Sequence, residues 1–327
     1  MKRALIMGVS GQDGAYLAGL LLAKGYEVYG TSRDAQLASL THLRRLGIAD
    51  RVRMFSVALT DLGSVLRVVT ETEPAEIYNL AGQSSVGLSF EQPTETIESI
   101  ALGTLNVLQA LRLSRKPSRF YNAGSGEMFG DTGGRRACEL TAFRPRSPYG
   151  IAKAAAFWEV ANYREAYSVF ACTGILFNHE SPLRPERFVT RKIAAGAVRI
   201  AREGGRLRLG NLNISRDWGW APEYVKAMWA MLQRDDPDDF VIGTGCAHPL
   251  ERFVELAFAE VGLDWRDHVD CDPGLVRPTE IAFGAGDPTK ANKELGWRAE
   301  ATLEDVVRRM VQAELTGNVM LAGNDAP

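Results

Sequence analysis

Short apolar segments alternate with longer stretches of helical periodicity over the first half of the chain. The apolar segments predict strands at residues 3–7, 27–30, 51–57, 77–80 and 119–123. The periodic stretches predict helices at 13–24, 94–113 and 148–168. Strands that alternate with helices form a parallel sheet with helices on both faces. The pattern therefore predicts an α/β fold with a doubly wound, Rossmann-type parallel sheet.

The alternation becomes irregular after about residue 178. Residues 178–187 are rich in proline and polar side chains, and the following pattern predicts helices at 188–203, 223–233 and 303–316 and a short strand at 206–210. No repeat or low-complexity linker separates the two parts. We therefore predict three regions, a Rossmann domain over 1–177, a smaller mixed α/β substrate-binding lobe over 178–317 with segments that return to the first domain, and a loose tail over 318–327.

Composition and charge narrow the possible classes of protein. The chain has 327 residues, of which 46% are hydrophobic, and a net charge of -2, so it can form a large core but gives no electrostatic reason to bind nucleic acid or an anionic membrane. The apolar segment Leu17–Ala23 is too short to span a bilayer. We predict a cytoplasmic protein without a signal peptide, without a metal site, and with free thiols at Cys138, Cys172, Cys246 and Cys271.

A glycine-rich turn follows the first predicted strand and leads into a helix. Its glycines are spaced Gly-x-x-Gly-x-x-Gly, which differs from the standard Gly-x-Gly-x-x-Gly fingerprint of dinucleotide sites. Without Cβ atoms, the backbone can turn tightly and a pyrophosphate can approach the N–H groups at the helix amino terminus. We predict a dinucleotide site here, with an ordinary glycine turn as the alternative, formed by Gly8, Gly11, Gln12, Asp13 and Gly14.

The end of the second predicted strand bears on which dinucleotide is bound. An acidic residue at this place hydrogen-bonds the ribose diol of NAD, whereas an arginine accommodates the 2′-phosphate of NADP. The chain reads Gly-Thr-Ser-Arg-Asp over residues 30–34. Ser32 and Arg33 favour NADP, and the neighbouring Asp34 keeps NAD as the alternative. A solvated Arg33 without a ligand is also compatible with the pattern.

Two pairs of residues predict the chemistry. Tyr149 and Lys153 are four residues apart in a predicted helix and therefore share a face, where the ammonium is expected to lower the pKa of the phenol from about 10 toward neutrality. Ser125 follows the predicted strand 119–123 and is placed to supply a second hydroxyl to the same substrate oxygen. Glu127 is placed to remove a proton next to a carbonyl. A surface Tyr–Lys pair without function is the alternative.

Longer sequence runs make the chain similar to the GDP-mannose 4,6-dehydratase family of the extended short-chain dehydrogenase/reductase superfamily. The resemblance covers nearly the whole chain, and its most specific runs are 11–17, 78–81, 145–149, 162–165, 174–182, 188–193, 209–211 and 216–219. It implies an NADP-dependent hydro-lyase that converts GDP-mannose to GDP-4-keto-6-deoxymannose.

The resemblance implies a role for each matched residue. Tyr149 would remove the C4 hydroxyl proton while Ser125 hydrogen-bonds the C4 oxygen and Lys153 holds the cofactor ribose. Glu127 would then remove the C5 proton, water would leave C6, and the stored hydride would return to C6. Further cofactor contacts are implied at Leu59, Leu80, Ala81 and Tyr149. Contacts to the GDP-sugar are implied at Asn178, Val189, Lys192, Asn211, Arg216, Arg277 and Glu280, with the two arginines facing the diphosphate and Glu280 near the guanosine.

Departures from the family pattern leave alternatives open. Gly126 stands where the family usually has a serine, so it either removes a hydroxyl that assists elimination or opens room beside C6 for a GDP-manno-heptose. A GDP-sugar C4 oxidoreductase or epimerase, in which Glu127 only hydrogen-bonds substrate, is a further alternative. The family's Arg-Arg-Ser-Ser segment, which helps to build a tetramer, is replaced by residues 31–34. We therefore expect a homodimer through the helices at 94–113 and 148–168, with a homotetramer as the alternative.

Overall fold

The computed structural model describes residues 1–319, so the predicted tail from residue 320 onward lies outside the described part. Its strands are β1 (Arg3–Met7), β2 (Glu27–Ser32), β3 (Val52–Ser56), β4 (Glu76–Asn79), β5 (Arg119–Ala123), β6 (Ala171–Leu176), β7 (Asn178–Glu180), β8 (Leu207–Leu209), β9 (Ser215–Trp220), β10 (Phe240–Ile242), β11 (Ala247–Pro249), β12 (Val269–Cys271) and β13 (Phe283–Gly284). Its α-helices are α1 (Gln12–Ala23), α2 (Thr41–Arg45), α3 (Leu62–Thr72), α4 (Val86–Glu91), α5 (Pro93–Ile97), α6 (Gly103–Leu113), α7 (Pro148–Tyr167), α8 (Val189–Glu203), α9 (Ala221–Met231), α10 (Leu250–Ala259), α11 (Thr289–Leu295) and α12 (Leu303–Thr316).

A seven-stranded parallel sheet in the order β10-β6-β5-β4-β1-β2-β3 forms the centre of the molecule. Every residue of β4 and β6 is buried, because helices cover both faces, and this burial explains the apolar character of these strands. The strand order reverses between β1 and β4, and open α/β sheets bind ligands at the carboxyl ends of the strands beside such a reversal. The predicted fold class is confirmed.

Local capping determines where α7 begins. Pro148 occupies the first turn, where its missing N–H costs no hydrogen bond, and the Ser147 hydroxyl accepts a hydrogen bond from the Gly150 N–H at 3.0 Å. This start places Tyr149 in the first turn and Lys153 one turn later. Both residues therefore lie at the end of α7 that is next to the carboxyl ends of the sheet.

The helix predicted at 94–113 is not a regular helix, and the prediction is wrong in this respect. A π-helical turn, Glu98–Leu102, separates α5 from α6. The turn brings Ser99 to the loop that follows β4, where its hydroxyl accepts a hydrogen bond from the Gln83 N–H at 3.2 Å. Single π turns of this kind are common near functional sites. Apolar periodicity runs through the turn on both sides, so the sequence pattern gives no sign of it.

The second half of the chain forms smaller sheets and also returns to the central one. Strand β9 lies between β11 and β13 and pairs with β7, while β8 pairs with β12. Helices α8, α10 and α12 pack around an apolar core behind these strands. In contrast, β10 joins the edge of the central sheet beside β6, and α9 packs on α1. The two parts of the chain thus share the central sheet and its covering helices.

Three further features concern the whole described part of the chain. No helix within residues 1–319 combines the length and apolarity needed to cross a bilayer. The four cysteines are free thiols, as predicted. The same residues contain no group of three histidine, cysteine, aspartate or glutamate side chains arranged to hold a metal ion.

Candidate active site

A cavity of about 1180 Å³ lies along the carboxyl ends of the central strands and continues between them and the smaller sheets. It brings together residues that are far apart in sequence. The predicted site residues that line it are Gly8, Gly11, Gln12, Asp13, Gly14, Ser32, Arg33, Leu59, Leu80, Ala81, Ser125, Glu127, Tyr149, Lys153, Asn178, Val189, Lys192, Arg216 and Arg277. Asn211 and Glu280 are not part of its lining.

The glycine turn between β1 and α1 has the geometry of an anion site. Gly8 has a φ of +83°, which disfavours other residues, and a Cβ added to Gly14 would lie 2.4 Å from the Gly8 carbonyl oxygen. Helix α1 has Gly11 as its N-cap, without a capping side chain. The first N–H groups of the helix are therefore open to a phosphate, as in dinucleotide sites. This end of the cavity is called the cofactor end below.

The carboxylate of Asp13 is directed at a histidine. His179 Nε2 lies 2.9 Å from Asp13 Oδ2, and His179 Nδ1 lies 2.7 Å from the Phe177 carbonyl oxygen. Burial opposes ionisation of both groups, but their mutual attraction prevails, so the pKa of Asp13 is lowered and the pKa of His179 is raised. The Gln12 amide donates to the His179 carbonyl at 3.2 Å. The glycine turn is thereby tied to the segment that follows β6.

The end of β2 is followed by an exposed arginine and by an aspartate whose carboxylate accepts hydrogen bonds from its own loop. The Arg33 side chain is 88% exposed, and its Nη1 lies 3.5 Å from Glu95 Oε1. Asp34 Oδ1 accepts hydrogen bonds from the backbone N–H groups of Gln36 at 2.8 Å and Leu37 at 3.1 Å. Asp34 therefore stabilises its own loop, whereas the weak surface contact of Arg33 leaves the guanidinium available to a ligand.

The predicted catalytic residues meet at the middle of the cavity. Ser125 caps the short turn that follows β5, where its hydroxyl accepts a hydrogen bond from the Glu127 N–H at 3.2 Å. Lys153 Nζ donates to the Ala123 carbonyl at 2.7 Å and lies 5.8 Å from the centre of the Tyr149 ring. Two elements, the end of β5 and the start of α7, thus present all four side chains to one space.

The electrostatics of this group differ from the prediction. Burial raises the pKa of Tyr149 to about 12, although the nearby Ser125 hydroxyl acts in the opposite direction. Burial also lowers the pKa of Lys153 to about 8. The prediction that Lys153 lowers the pKa of Tyr149 toward neutrality is therefore wrong for the chain by itself. The physical reason is that both groups are buried, so each loses solvation when it is charged, and this cost is the largest influence on both pKa values.

The opposite end of the cavity, called the sugar end below, contains a buried arginine. Arg216 is 6% exposed, and its Nη1 donates to the Ser215 carbonyl at 3.0 Å. Its Nη2 is buried and has no hydrogen-bond partner within residues 1–319. Burial lowers the pKa of Arg216, while the negative charge of Glu127 acts to raise it. A buried donor that lacks a partner is well suited to an anionic ligand group.

The remaining predicted substrate residues lie around the sugar end. Asn178 begins β7, Val189 begins α8, and Lys192 Nζ donates to the Arg208 carbonyl at 2.6 Å. Asn211 lines a smaller adjoining cavity of about 440 Å³, and its side-chain oxygen accepts a hydrogen bond from the Asn213 N–H at 2.9 Å. Glu280 lies near enough to Arg216 for its charge to act on the guanidinium.

Sequence reasoning missed two residues that shape the cavity. Arg184 lines it and donates from Nη1 to the His179 carbonyl at 2.6 Å and to Glu180 Oε1 at 3.1 Å. Phe177 also lines it, with its ring against Gly126. Both lie in or next to the run 174–182 that carries the family resemblance, so that run was the available signal. Their contacts with distant segments could not be inferred from it.

The parallel sheet, the uncapped glycine turn and the serine, tyrosine and lysine on one cavity define an extended short-chain dehydrogenase/reductase. Solved structures of this class have the same fold. UDP-glucose 4-epimerase from Thermus thermophilus, in complex with NAD, superposes with a TM-score of 0.85 at 25% sequence identity and covers 96% of this chain and 99% of its own.

The particular family follows from sequence comparison. A sequence model of GDP-mannose 4,6 dehydratase matches residues 5–310. GDP-mannose 4,6-dehydratase from Sinorhizobium fredii is 45% identical over 341 residues, which is 96% of this chain and 97% of the relative. GDP-mannose 4,6 dehydratase 2 from Arabidopsis thaliana is 44% identical, over 96% of this chain and 87% of the relative. The chain belongs to the GDP-mannose 4,6-dehydratase family, as predicted.

Proposed function

We propose that this protein dehydrates GDP-mannose to GDP-4-keto-6-deoxymannose. The observation that carries the proposal is the position of Glu127, whose charge acts on both the phenol of Tyr149 and the guanidinium of Arg216. A carbinol oxidised at Tyr149 would therefore lie beside a carboxylate, while the diphosphate of the same substrate reaches the sugar end. Tyr149 and Lys153 alone would serve a simple reductase, whereas the added carboxylate supports elimination.

Each catalytic side chain has one proton to hold or move. Tyr149, as the phenolate, accepts the proton of the C4 hydroxyl, and Ser125 donates a hydrogen bond to the C4 oxygen. In the chain by itself burial holds the pKa of Tyr149 at about 12, so the phenolate would form only with bound substrate and cofactor, when the ammonium of Lys153, 5.8 Å from the ring centre, is the nearest cation on α7 to attract it. A nicotinamide nucleotide held by the glycine turn and Lys153 would supply the hydride acceptor for C4 and the hydride donor for C6.

The elimination step belongs to Glu127. The C4 ketone makes the C5 proton acidic, and the carboxylate removes it. The electron pair of the C5–H bond forms the C5–C6 double bond, the C6–O bond breaks, and the proton leaves with the C6 oxygen as water. That water carries away the proton taken from C5, so Glu127 is a carboxylate again. When the hydride is added at C6, C5 takes up one proton, which equals the proton that Tyr149 accepted from the C4 hydroxyl and now releases, so the turnover balances. Acid–base catalysis of this kind contributes about 10²- to 10⁴-fold to a rate.

We propose that the cofactor is NADP. The carboxylate of Asp34, which would bind the ribose diol of NAD, accepts two backbone hydrogen bonds within its own loop. Arg33 is exposed and able to turn toward a 2′-phosphate. Calorimetric titration with NADP⁺ and with NAD⁺ tests the proposal. We expect NADP⁺ to bind more tightly, and equal or tighter binding of NAD⁺ would contradict it.

We propose that residues 178–317 mainly bind the GDP part of the substrate. Arg216 and Arg277 both line the sugar end, and Nη2 of Arg216, which has no partner within residues 1–319, matches a diphosphate oxygen. Two planar guanidinium groups at separate positions suit a diphosphate, because each can pair with two oxygens. Lys192 adds a third positive charge to the same wall.

The product of the reaction tests the proposed function directly. Incubation with GDP-mannose should give a product lighter by one water in mass spectrometry, with no net change in nicotinamide absorbance. The Glu127→Gln variant should exchange the hydrogen at C4 but release no water. A stoichiometric change in NADPH, or an epimer of unchanged mass, would instead identify a GDP-sugar C4 oxidoreductase or epimerase.

We also propose a homodimer formed through α5, α6 and α7. Large apolar side chains on these helices and on the π turn between them are exposed, namely Ile97, Leu102, Leu113, Ile151, Trp158 and Tyr167. Exposed apolar patches of this kind mark protein interfaces. Light scattering after gel filtration should give twice the mass of one chain, and Ile151→Glu should shift it toward the monomer. A monomeric wild type would contradict the proposal.

A further inference from the structure

The ring of Phe177 is held between two glycines. A Cβ added to Gly126 would lie 2.9 Å from Cε1 of this ring, and one added to Gly286 would lie 2.7 Å from Cδ2. Carbon atoms that are not bonded do not approach so closely, so each glycine is needed for the position of the ring. The space beside Gly126, which the sequence left open for a larger substrate, is therefore occupied by Phe177.

The backbone and the neighbours of Phe177 are held as well. Its N–H donates to the Ile242 carbonyl at 2.9 Å, and its carbonyl lies 2.7 Å from His179 Nδ1. The fully buried Asp217 holds Gly286 in place, since its Oδ2 accepts the Gly286 N–H at 3.2 Å. These contacts fix the backbone of Phe177, and the two glycines limit the movement of the ring on the sides where they pack against it.

Phe177 nevertheless belongs to the wall of the cavity. Its residue is 5% exposed, and the ring stacks on Phe129 with 6.1 Å between ring centres and an angle of 16°. Glu127 directly follows Gly126, so the ring that packs on Gly126 lies next to the elimination base. Because elimination involves C5 and C6 together, the C6 end of the sugar must come close to Glu127 and hence to this wall.

We propose that Phe177 determines specificity by limiting the sugar to a primary hydroxyl at C6. This inference rests on the proposed function. A GDP-manno-heptose carries a further carbon at C6, which would have to enter the volume that the ring occupies. Since neither glycine neighbour nor the stacked Phe129 lets the ring withdraw, the larger sugar is excluded from productive binding. One misfitting carbon in an apolar pocket typically costs about 10- to 200-fold in kcat/KM.

The test compares GDP-mannose with GDP-manno-heptose in three proteins. The wild type should prefer GDP-mannose in kcat/KM by about tenfold or more, and Phe177→Leu should reduce this ratio by about tenfold. Phe143→Leu is the matched control, because it removes the same ring from the adjoining aromatic cluster, 5.2 Å from Phe129, at a residue that is not in the cavity lining. The control should keep the wild-type ratio.

Several outcomes would overturn the inference. One is a wild type that dehydrates both sugars equally well, and another is an unchanged ratio in Phe177→Leu. If circular dichroism shows that Phe177→Leu is unfolded, Phe177→Met takes its place, because the flexible methionine keeps most of the volume and can yield to the extra carbon. A wild type that dehydrates neither sugar contradicts the proposed function. In that case a competition binding experiment with the two nucleotide sugars still tests whether Phe177 excludes the larger sugar. Equal affinities would refute this role of Phe177.

Discussion

The two ends of the cavity are built in different ways. The cofactor end depends mainly on backbone, with one glycine turn and the open N–H groups of α1, all within residues 8–14. The sugar end depends on side chains from separate elements, among them Asn178 on β7, Lys192 on α8 and Arg216 on β9. A site built from one backbone segment can be recognised locally. A site built from scattered side chains exists only once the chain has folded.

The groups that would attract an anion also differ between the two ends, with backbone N–H groups at the cofactor end and side chains at the sugar end. At the cofactor end, Asp13 and His179 neutralise each other and leave the backbone N–H groups to attract an anion. At the sugar end, Arg216 is buried, and its Nη2 donates no hydrogen bond to any part of the chain that the structure describes. We therefore expect the cofactor end to tolerate side-chain substitutions better than changes of its backbone. The sugar end should be more sensitive to side-chain substitutions. The following predictions test this difference.

The largest effect is expected from Tyr149→Phe, which removes only an oxygen. Without the phenol, kcat should fall by about 10²- to 10⁴-fold, while the dissociation constant of the cofactor stays within about twofold of the wild-type value. Tyr163→Phe, on the same helix but buried in the core away from the cavity, is the control and should keep its activity. If cofactor affinity falls in parallel with kcat, the two ends are not separable.

A smaller effect, on cofactor binding and not on the binding of GDP, is expected from Gly14→Ala. The added methyl group would meet the Gly8 carbonyl oxygen at 2.4 Å, and overpacking of about 1–3 kcal/mol corresponds to about 5- to 150-fold weaker dinucleotide binding. Calorimetry should show this loss while GDP binding at the sugar end is retained. Gly63→Ala, on the exposed first turn of α3, should change neither. Unchanged dinucleotide affinity in Gly14→Ala would show that the turn is not essential to this end.

The smallest effect is expected at Glu159, which belongs to neither end. Burial raises the pKa of this carboxyl from 4.5 to about 7, and its Oε2 has no hydrogen-bond partner within the described residues. Between these two pH values the folded state binds more protons than the unfolded state, so the free energy of unfolding decreases as the pH rises through this window.

The Glu159→Gln variant has no carboxyl group to ionise, so it avoids the free-energy cost of a charged carboxylate in this half-buried place. Because the group is only half-buried, solvent screening reduces the gain, and we expect the variant to be more stable than the wild type by about 1 kcal/mol above pH 7 and equally stable below pH 4.5. Urea unfolding at pH 4 and pH 8, at one protein concentration, measures the difference. A variant that is destabilised at pH 8 would show that the carboxylate has a favourable partner. Activity and nucleotide affinity should not change.

Much of the cofactor end could be predicted from the sequence, because each feature depends on residues close together in the chain. The turn at 8–14 and the spacing of Tyr149 and Lys153 are of this kind, and the structure places them together. The π turn at Glu98–Leu102 was not predictable, since the apolar periodicity is the same on both sides. The charge state of Tyr149 was predicted in the wrong direction, because the cost of burial depends on the surrounding atoms and not on the neighbouring residues in sequence.

The sequence alone determined the alternation of strands and helices, the glycine turn and the family, since these follow from local order and from runs of matched residues. Only the tertiary structure decided which way Asp34 and Phe177 face. It also decided that the room beside Gly126 is filled and that, among the described residues, Arg216 has a donor without a partner. The physical reason is that exclusion of volume, desolvation and hydrogen-bond satisfaction are properties of atoms in contact, and the contacting atoms come from segments far apart in the chain.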